Sequence, residues 1–205
     1  LGTHRSGTRS PTLRTDRPSR RRRNPLLPAL LCRTHPLPRY RPVVDPADLD
    51  AVARQLGREP RGVLEVSYRC PNGEPGVVKT KPRLPDGTPF PTLYYLTHPL
   101  LTAAASRLES EGVMREMSAR LSGDPDLAVA YRRAHDAYLA EREAIESLGT
   151  TFTGGGMPDR VKCLHVLMAH SLAKGRGVNP FGDEALAILA ADPAMKGILA
   201  PEVWT

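Results

Sequence analysis

Between residues 154 and 175 the chain reads GGGMPDRVKCLHVLMAHSLAKG, with polar residues gathered at the start and a nearly unbroken apolar stretch behind them. Pro158 sits where a first-turn proline belongs and Gly175 where a helix stops, so the spacing predicts a helix over 158–174. At 100° per residue, Val161, Leu164, Met168 and Leu172 fall on one side of it, and Cys163, Val166, Leu167 and His170 on another. A helix that is apolar over most of its circumference is a buried one. The remainder of the chain must therefore wrap it.

The wrapping is legible on both sides. In DPADLDAVARQLG, Asp45 can cap a helix, Pro46 suits its first turn, Leu49, Val52, Ala53 and Leu56 make an apolar stripe, and Gly57 ends it. The period then shortens. RGVLEVSYRCPNGEPGVVKTKP predicts a strand at 62–69, a turn at Asn72-Gly73 and a second strand near 76–80, and TLYYLT at 92–97 has the aromatic content of a third. From Pro99 onward the signals are helical, with stops at Gly112, Gly123 and Gly149. The longest helix is expected to run from a capping Asp124 to Gly149, with Leu127, Tyr131, Ala134, Tyr138 and Ile145 inward. Arg132, Asp136, Arg142, Glu143 and Glu146 are expected to face water, and His135 to stand at the margin. A last helix is expected from near Asp183, as its cap or as partner of a cation such as Arg160, before an apolar end at Ile198, Leu199 and Trp204. The fold class is α+β: a small three-stranded antiparallel sheet packed against a mostly helical bundle.

Composition divides the chain near residue 42. The first 42 residues hold eleven arginines against one acid, Asp16, about +10 in all, so the whole-chain charge of +7 leaves the rest near −3. High charge and frequent proline with little apolar content predict a disordered basic tail over 1–42 and a single domain over 43–205. The chain opens on Leu, and the tail reads as inert sequence or a mis-assigned start. If the tail is real, RRRR at 20–23 is the block that would meet nucleic acid, with a salt-dependent affinity. NPLLPALLC at 24–32 is short and broken by prolines, unlike a secretory signal, and no stretch approaches a membrane span, so the expected location is cytoplasmic. Cys32, Cys70 and Cys163 show no metal-ribbon or disulfide spacing, and free thiols are expected.

The chemistry concentrates around the central helix. Asp159, Cys163, His165 and His170 are the candidate catalytic residues of a hydrolase-type enzyme. Within one helix Cys163 and His170 share a face but stand ~10.5 Å apart along the axis, too far for one zinc. Cys163 and His165 are about 200° apart on that wheel, which excludes a Cys–His pair inside the helix. A zinc site would instead have to recruit Cys70 or His98 to meet Cys163 or one of the helix histidines. The favoured reading is different: Gly154, Gly155 and Gly156 feed a helix start, and with Arg160 and Lys162 they form a candidate site for a small anionic, phosphorylated ligand. Asp159 counts against it, since a carboxylate there would compete for the same positive potential.

Taken together, SYRCPNGEPGVVKT, PRLPDGTPFPTLYYLTHP, GGGMPDRVKCLHVLMAHSLA and GVNPFGDEAL resemble, in order, the bacterial family known as domain of unknown function 501, over roughly residues 45–195. The resemblance implies no specific reaction. The family's genes often stand near enolase, a small division coiled-coil protein and an exopolyphosphatase-like gene, which implies a cytosolic housekeeping role.

Overall fold

A computed structural model describes residues 44–205, and the basic tail assigned to 1–42 lies outside the described residues. Helix α1 (Pro46–Leu56) begins as the sequence predicts, with the Asp45 side chain accepting from the Ala47 N–H, and stops at left-handed Gly57. Strands β1 (Val63–Arg69), β2 (Pro75–Thr80) and β3 (Tyr94–Leu96) form one antiparallel sheet in the order β1-β2-β3. Val66 pairs with Val78 and Tyr68 with Val77 across the first ladder; Val77 pairs with Leu96 across the second. Central β2 is buried almost end to end, which explains its unalternating Gly-Val-Val core.

The helices follow. α2 (Pro99–Ser110), α3 (Val113–Gly123), α4 (Pro125–Ile145), α5 (Leu164–Lys174) and α6 (Pro180–Ala190) are succeeded by a 3₁₀ turn at Pro193–Met195 and the short α7 (Pro201–Trp204). Helix α5 packs against all three strands on one side and against α2 and α6 on others. Leu164 and every residue from Leu167 to Leu172 are buried, so the all-round apolar helix is the centre of the domain as its sequence requires. The apolar end at Ile198, Leu199 and Trp204 is buried in the same core, where α7 packs against α6.

Three boundaries differ from expectation, each for a local reason. Helix α4 stops at Ile145, and its inward row continues from Tyr131 and Tyr138 to Arg142, which is fully buried, while Ile145 is exposed. The cause lies in the chain that follows: it folds back so that Arg142 donates to the carbonyls of Thr150 and Phe152 and pairs with Glu143 at 2.9 Å. Helix α6 starts at Pro180, three residues early, because Asn179 rather than Asp183 caps it, accepting from the Gly182 N–H. Asp183 instead accepts from Gly177 N–H and pairs with no cation among the described residues. Helix α5 starts at Leu164, not at Pro158. Residues 154–163 form a folded loop in which Gly155 O accepts from the N–H groups of Lys162 and Cys163, Gly156 O accepts from Arg160, and Val161 N–H donates to Ser118 Oγ. These bonds divert the N–H groups that a longer helix would need.

Candidate functional site

The site begins with the loop that replaces the expected first turns of α5. Glycines are required in it by packing: a Cβ on Gly154 would lie 2.8 Å from Val166, one on Gly155 2.8 Å from Leu167, and one on Gly156 2.7 Å from Arg160 O. Gly155 and Gly156 also hold positive φ, at 74° and 88°, which side-chain-bearing residues avoid. The glycine run is thus a close-packed turn against α5 rather than a flexible tether. On its outer side the loop forms one wall of a cavity of about 710 Å³, together with His135, Thr151 and Phe152. All five residues assigned to an anionic ligand, Gly154, Gly155, Gly156, Arg160 and Lys162, line this cavity. Arg160 and Lys162 are solvent-exposed. Asp159 is the single acid of the lining; it is 84% exposed and lies 3.7 Å from Arg132. His135 hydrogen-bonds Thr153 Oγ1 at 3.2 Å, and burial pushes its pKa down, so it adds no charge to the wall at neutral pH.

Cys163 also lines the cavity, and its position overturns two expectations. It is the N-cap of α5, in extended conformation (φ −151°, ψ 110°), not a residue of the second turn. From there it does not point away from His165: Cys163 Sγ lies 3.8 Å from His165 Nδ1, because the 200° argument holds only if both residues are helical. A third group arrives from α2. Glu109 Oε1 lies 3.0 Å from the same Nδ1 and accepts the Leu164 N–H at 2.6 Å, so the carboxylate closes the helix start that Cys163 leaves uncapped. Ser106, one turn before Glu109, stands 3.3 Å from His165 Nε2. Glu109 and His165 side chains are about a quarter exposed. Hydrogen bonding with Cys163 first, and with Glu109, outweighs the cost of partial burial and raises His165 to a pKa of about 9. At neutral pH both ring nitrogens carry protons, Nδ1–H facing Sγ and Oε1 and Nε2–H facing Ser106 Oγ.

Other candidates go elsewhere. Asp159 does not reach Cys163; it lies in the loop and faces water. His170 is buried, stacked on Tyr94 with centroids 5.8 Å apart and edge-on to Tyr138 at 5.2 Å; burial lowers its pKa to about 4. Its neighbours make it a packed neutral ring. His98 caps α2, accepting from Leu100 N–H through Nδ1, and donates through Nε2 to Glu74 at 2.9 Å. Cys70 is buried at the end of β1, and burial raises its thiol to about 11. The combination Cys70, His98 and Cys163 does not assemble. Among the described residues, the only group of three or more Cys, His and acidic side chains whose donor atoms converge is Glu109, Cys163 and His165, all within 4.8 Å of one another. Sequence reading named two of these and missed Glu109 and Ser106, whose residue types on α2 look like any solvated helix face. Their only signal is the spacing of three, which puts both on one side of a helix.

A family model described as "Protein of unknown function (DUF501)" matches residues 66–187, a span that contains the C-terminal part of β1, all of β2 and β3, the glycine loop, Glu109, Cys163 and His165. No curated protein and no solved structure matches the chain. No helix among the described residues is long and apolar enough to cross a membrane.

Proposed function

The chain belongs to the DUF501 family, and from that membership together with the geometry of the glycine-loop cavity we propose a cytosolic binding or regulatory module that holds a small anionic, phosphorylated ligand. The observation that carries the reading is that Gly154, Gly155, Gly156, Arg160 and Lys162 share one wall of a cavity of about 710 Å³, within the range of small-molecule sites. Two exposed cations stand in that wall against one acid, and that acid lies near Arg132. Backbone N–H groups of Gly155, Gly156 and Met157 donate to no described residue, and all three residues line the cavity. Specificity would come from those fixed donors, and attraction from Arg160 and Lys162.

Calorimetric titration of the full chain with inorganic phosphate and pyrophosphate tests this. Arg160→Ala combined with Lys162→Ala should weaken binding by about tenfold, and wild-type affinity should fall as salt rises, because exposed charge pairs are screened. Unchanged affinity in the double variant would remove the proposal. The hydrolase reading has one observation in its favour, the contact between Cys163 and His165. As a nucleophile–base pair it is poorly arranged, since the imidazole nitrogen facing the thiol is the one already facing Glu109.

A further inference from the structure

The convergence that spoils a Cys–His relay is the arrangement a cation requires. We propose that Glu109, Cys163 and His165 form a zinc centre with three protein ligands and a fourth position open to water or an anion. Bond lengths of about 2.0–2.3 Å at tetrahedral angles put neighbouring donor atoms roughly 3.3–3.6 Å apart. His165 Nδ1 and Glu109 Oε1 are 3.0 Å apart, Nδ1 and Cys163 Sγ are 3.8 Å apart, and all three atoms lie within 4.8 Å. Shifts of a few tenths of an ångström bring the two measured pairs to bonding separation. Metal binding removes the Nδ1 and Sγ protons, and the cation takes their place among three donors that otherwise crowd one imidazole nitrogen.

The surroundings fit the same assignment. Ligating histidines usually donate their second N–H to a fixed acceptor, and Ser106 Oγ stands 3.3 Å from Nε2 in that role, fixing the tautomer that leaves Nδ1 for the metal. Glu109 has two oxygens: Oε1 accepts the Leu164 N–H, and Oε2 bonds to no described residue, so a carboxylate shared between helix cap and metal is available. A thiolate, an imidazole and one carboxylate select zinc over magnesium or calcium, which prefer oxygen alone. Structural zinc sites close with four protein ligands; three, with Glu109 and His165 about a quarter exposed, is the pattern of sites that exchange their fourth ligand. Bound water there would be acidified toward a pKa of about 7, which supplies a nucleophile at neutral pH. Cys163 is common to this centre and to the glycine-loop cavity.

The hydroxyl–imidazole–carboxylate series Ser106, His165, Glu109 has the order of a serine relay, but Ser106 lies inside α2, whose backbone N–H groups are committed to the helix and offer no oxyanion donors. That reading also leaves Cys163 without a part.

The test uses the full chain, purified without chelator for elemental analysis and then stripped and titrated with Co(II). About one equivalent of zinc as purified is expected, with a thiolate-to-cobalt charge-transfer band and the visible absorption of four-coordinate cobalt after reloading. Cys163→Ala should abolish the band. Glu109→Gln, whose amide oxygen still caps Leu164, should weaken Co(II) at least tenfold, and Ser106→Ala by about tenfold as an outer-shell loss. Absence of the band in the wild-type chain overturns the proposal, whatever the folding of the variants. So does a band that survives in Cys163→Ala, since its sulfur would then be another cysteine, or unchanged affinity in both Glu109→Gln and His165→Ala. The Arg160→Ala, Lys162→Ala protein should keep its cobalt spectrum, so loss of phosphate binding and loss of metal are read separately.

Discussion

Arg142 is a fully buried cation whose obligations are all local: the carbonyls of Thr150 and Phe152, and one oxygen of half-buried Glu143. A buried charge is tolerated only where its donors are taken up, and here they tie down the segment that leads into the glycine loop. Arg142→Ala removes these bonds and empties a fully buried position, and a loss of about 3 kcal/mol in unfolding free energy is expected by urea denaturation. A loss below about 1 kcal/mol would show that the loop holds without it. The sequence gives no hint of this burial, because Arg142 lies in a run of charges that reads as a solvated face. Tyr131 and Tyr138 mark the inward row, and only the returning carbonyls explain why an arginine continues it.

Helices α5 and α6 meet at a glycine. A Cβ on Gly182 would fall 2.2 Å from Leu167 O and 2.4 Å from Ser171 Oγ, so the first turn of α6 lies directly on the α5 backbone. Gly182→Ala must push the two helices apart, and a cost of about 3 kcal/mol or more is expected, as for severe overpacking. Gly123, the last residue of α3, is the contrast: nothing lies within 4 Å of a Cβ there and its φ is not positive. Gly123→Ala should be neutral or stabilising by up to about 1 kcal/mol, through lower entropy of the unfolded chain. Thermal melts of the two variants side by side check both. At this scale the sequence was most readable. Asp45, Asp124, Gly57 and Gly112 mark helix ends where caps and stops stand in the structure, since capping is decided by residues within one turn. It misled at Pro158, a good helix start whose backbone groups are claimed by Gly155, Gly156 and Ser118 from outside the local window.

Across the whole molecule, sheet, α4 and α5 are joined by a half-buried polar network. Glu141 accepts from Lys79 at 2.5 Å and pairs with Lys174 at 3.1 Å, and beside it His170 stacks on Tyr94. Burial opposes ionisation of Glu141, but hydrogen bonds from Lys79, Tyr94 and Lys174 prevail and hold its pKa near 2. His170, lowered to about 4, must be neutral in the folded state. Both depressions act in the same direction. Above the unfolded value of about 6.5 the histidine contributes fully; as pH falls toward 4 the unfolded chain gains a proton that the folded one refuses, and stability drops. The Glu141 contribution is lost lower, between about 4.5 and 2. His170→Gln removes the first titration, so the stability difference between wild type and variant should shrink on acidification from pH 6.5 to 4, by on the order of 3 kcal/mol. A difference that stays constant over that window would show that His170 titrates equally in both states.

What the sequence determined by itself is whatever depends on periodicity and nearest neighbours. The apolar wheel read over residues 158–174 requires a buried centre, the alternation and turn at 62–80 require a hairpin, and the α+β architecture follows from the two together. The grouping of Gly154, Gly155, Gly156, Arg160 and Lys162 along one cavity was legible too, because they are nearly contiguous, whereas His135 reaches the same cavity from α4. Tertiary structure alone decided the chemistry at its edge. Glu109 stands 54 positions before Cys163, and no local rule relates them. They meet because α2 packs against α5, and because the helix start is pulled to Leu164, which turns Cys163 out of the helical wheel and onto His165. Convergence of donors is a property of packing, and packing is fixed by contacts that a one-dimensional period does not contain.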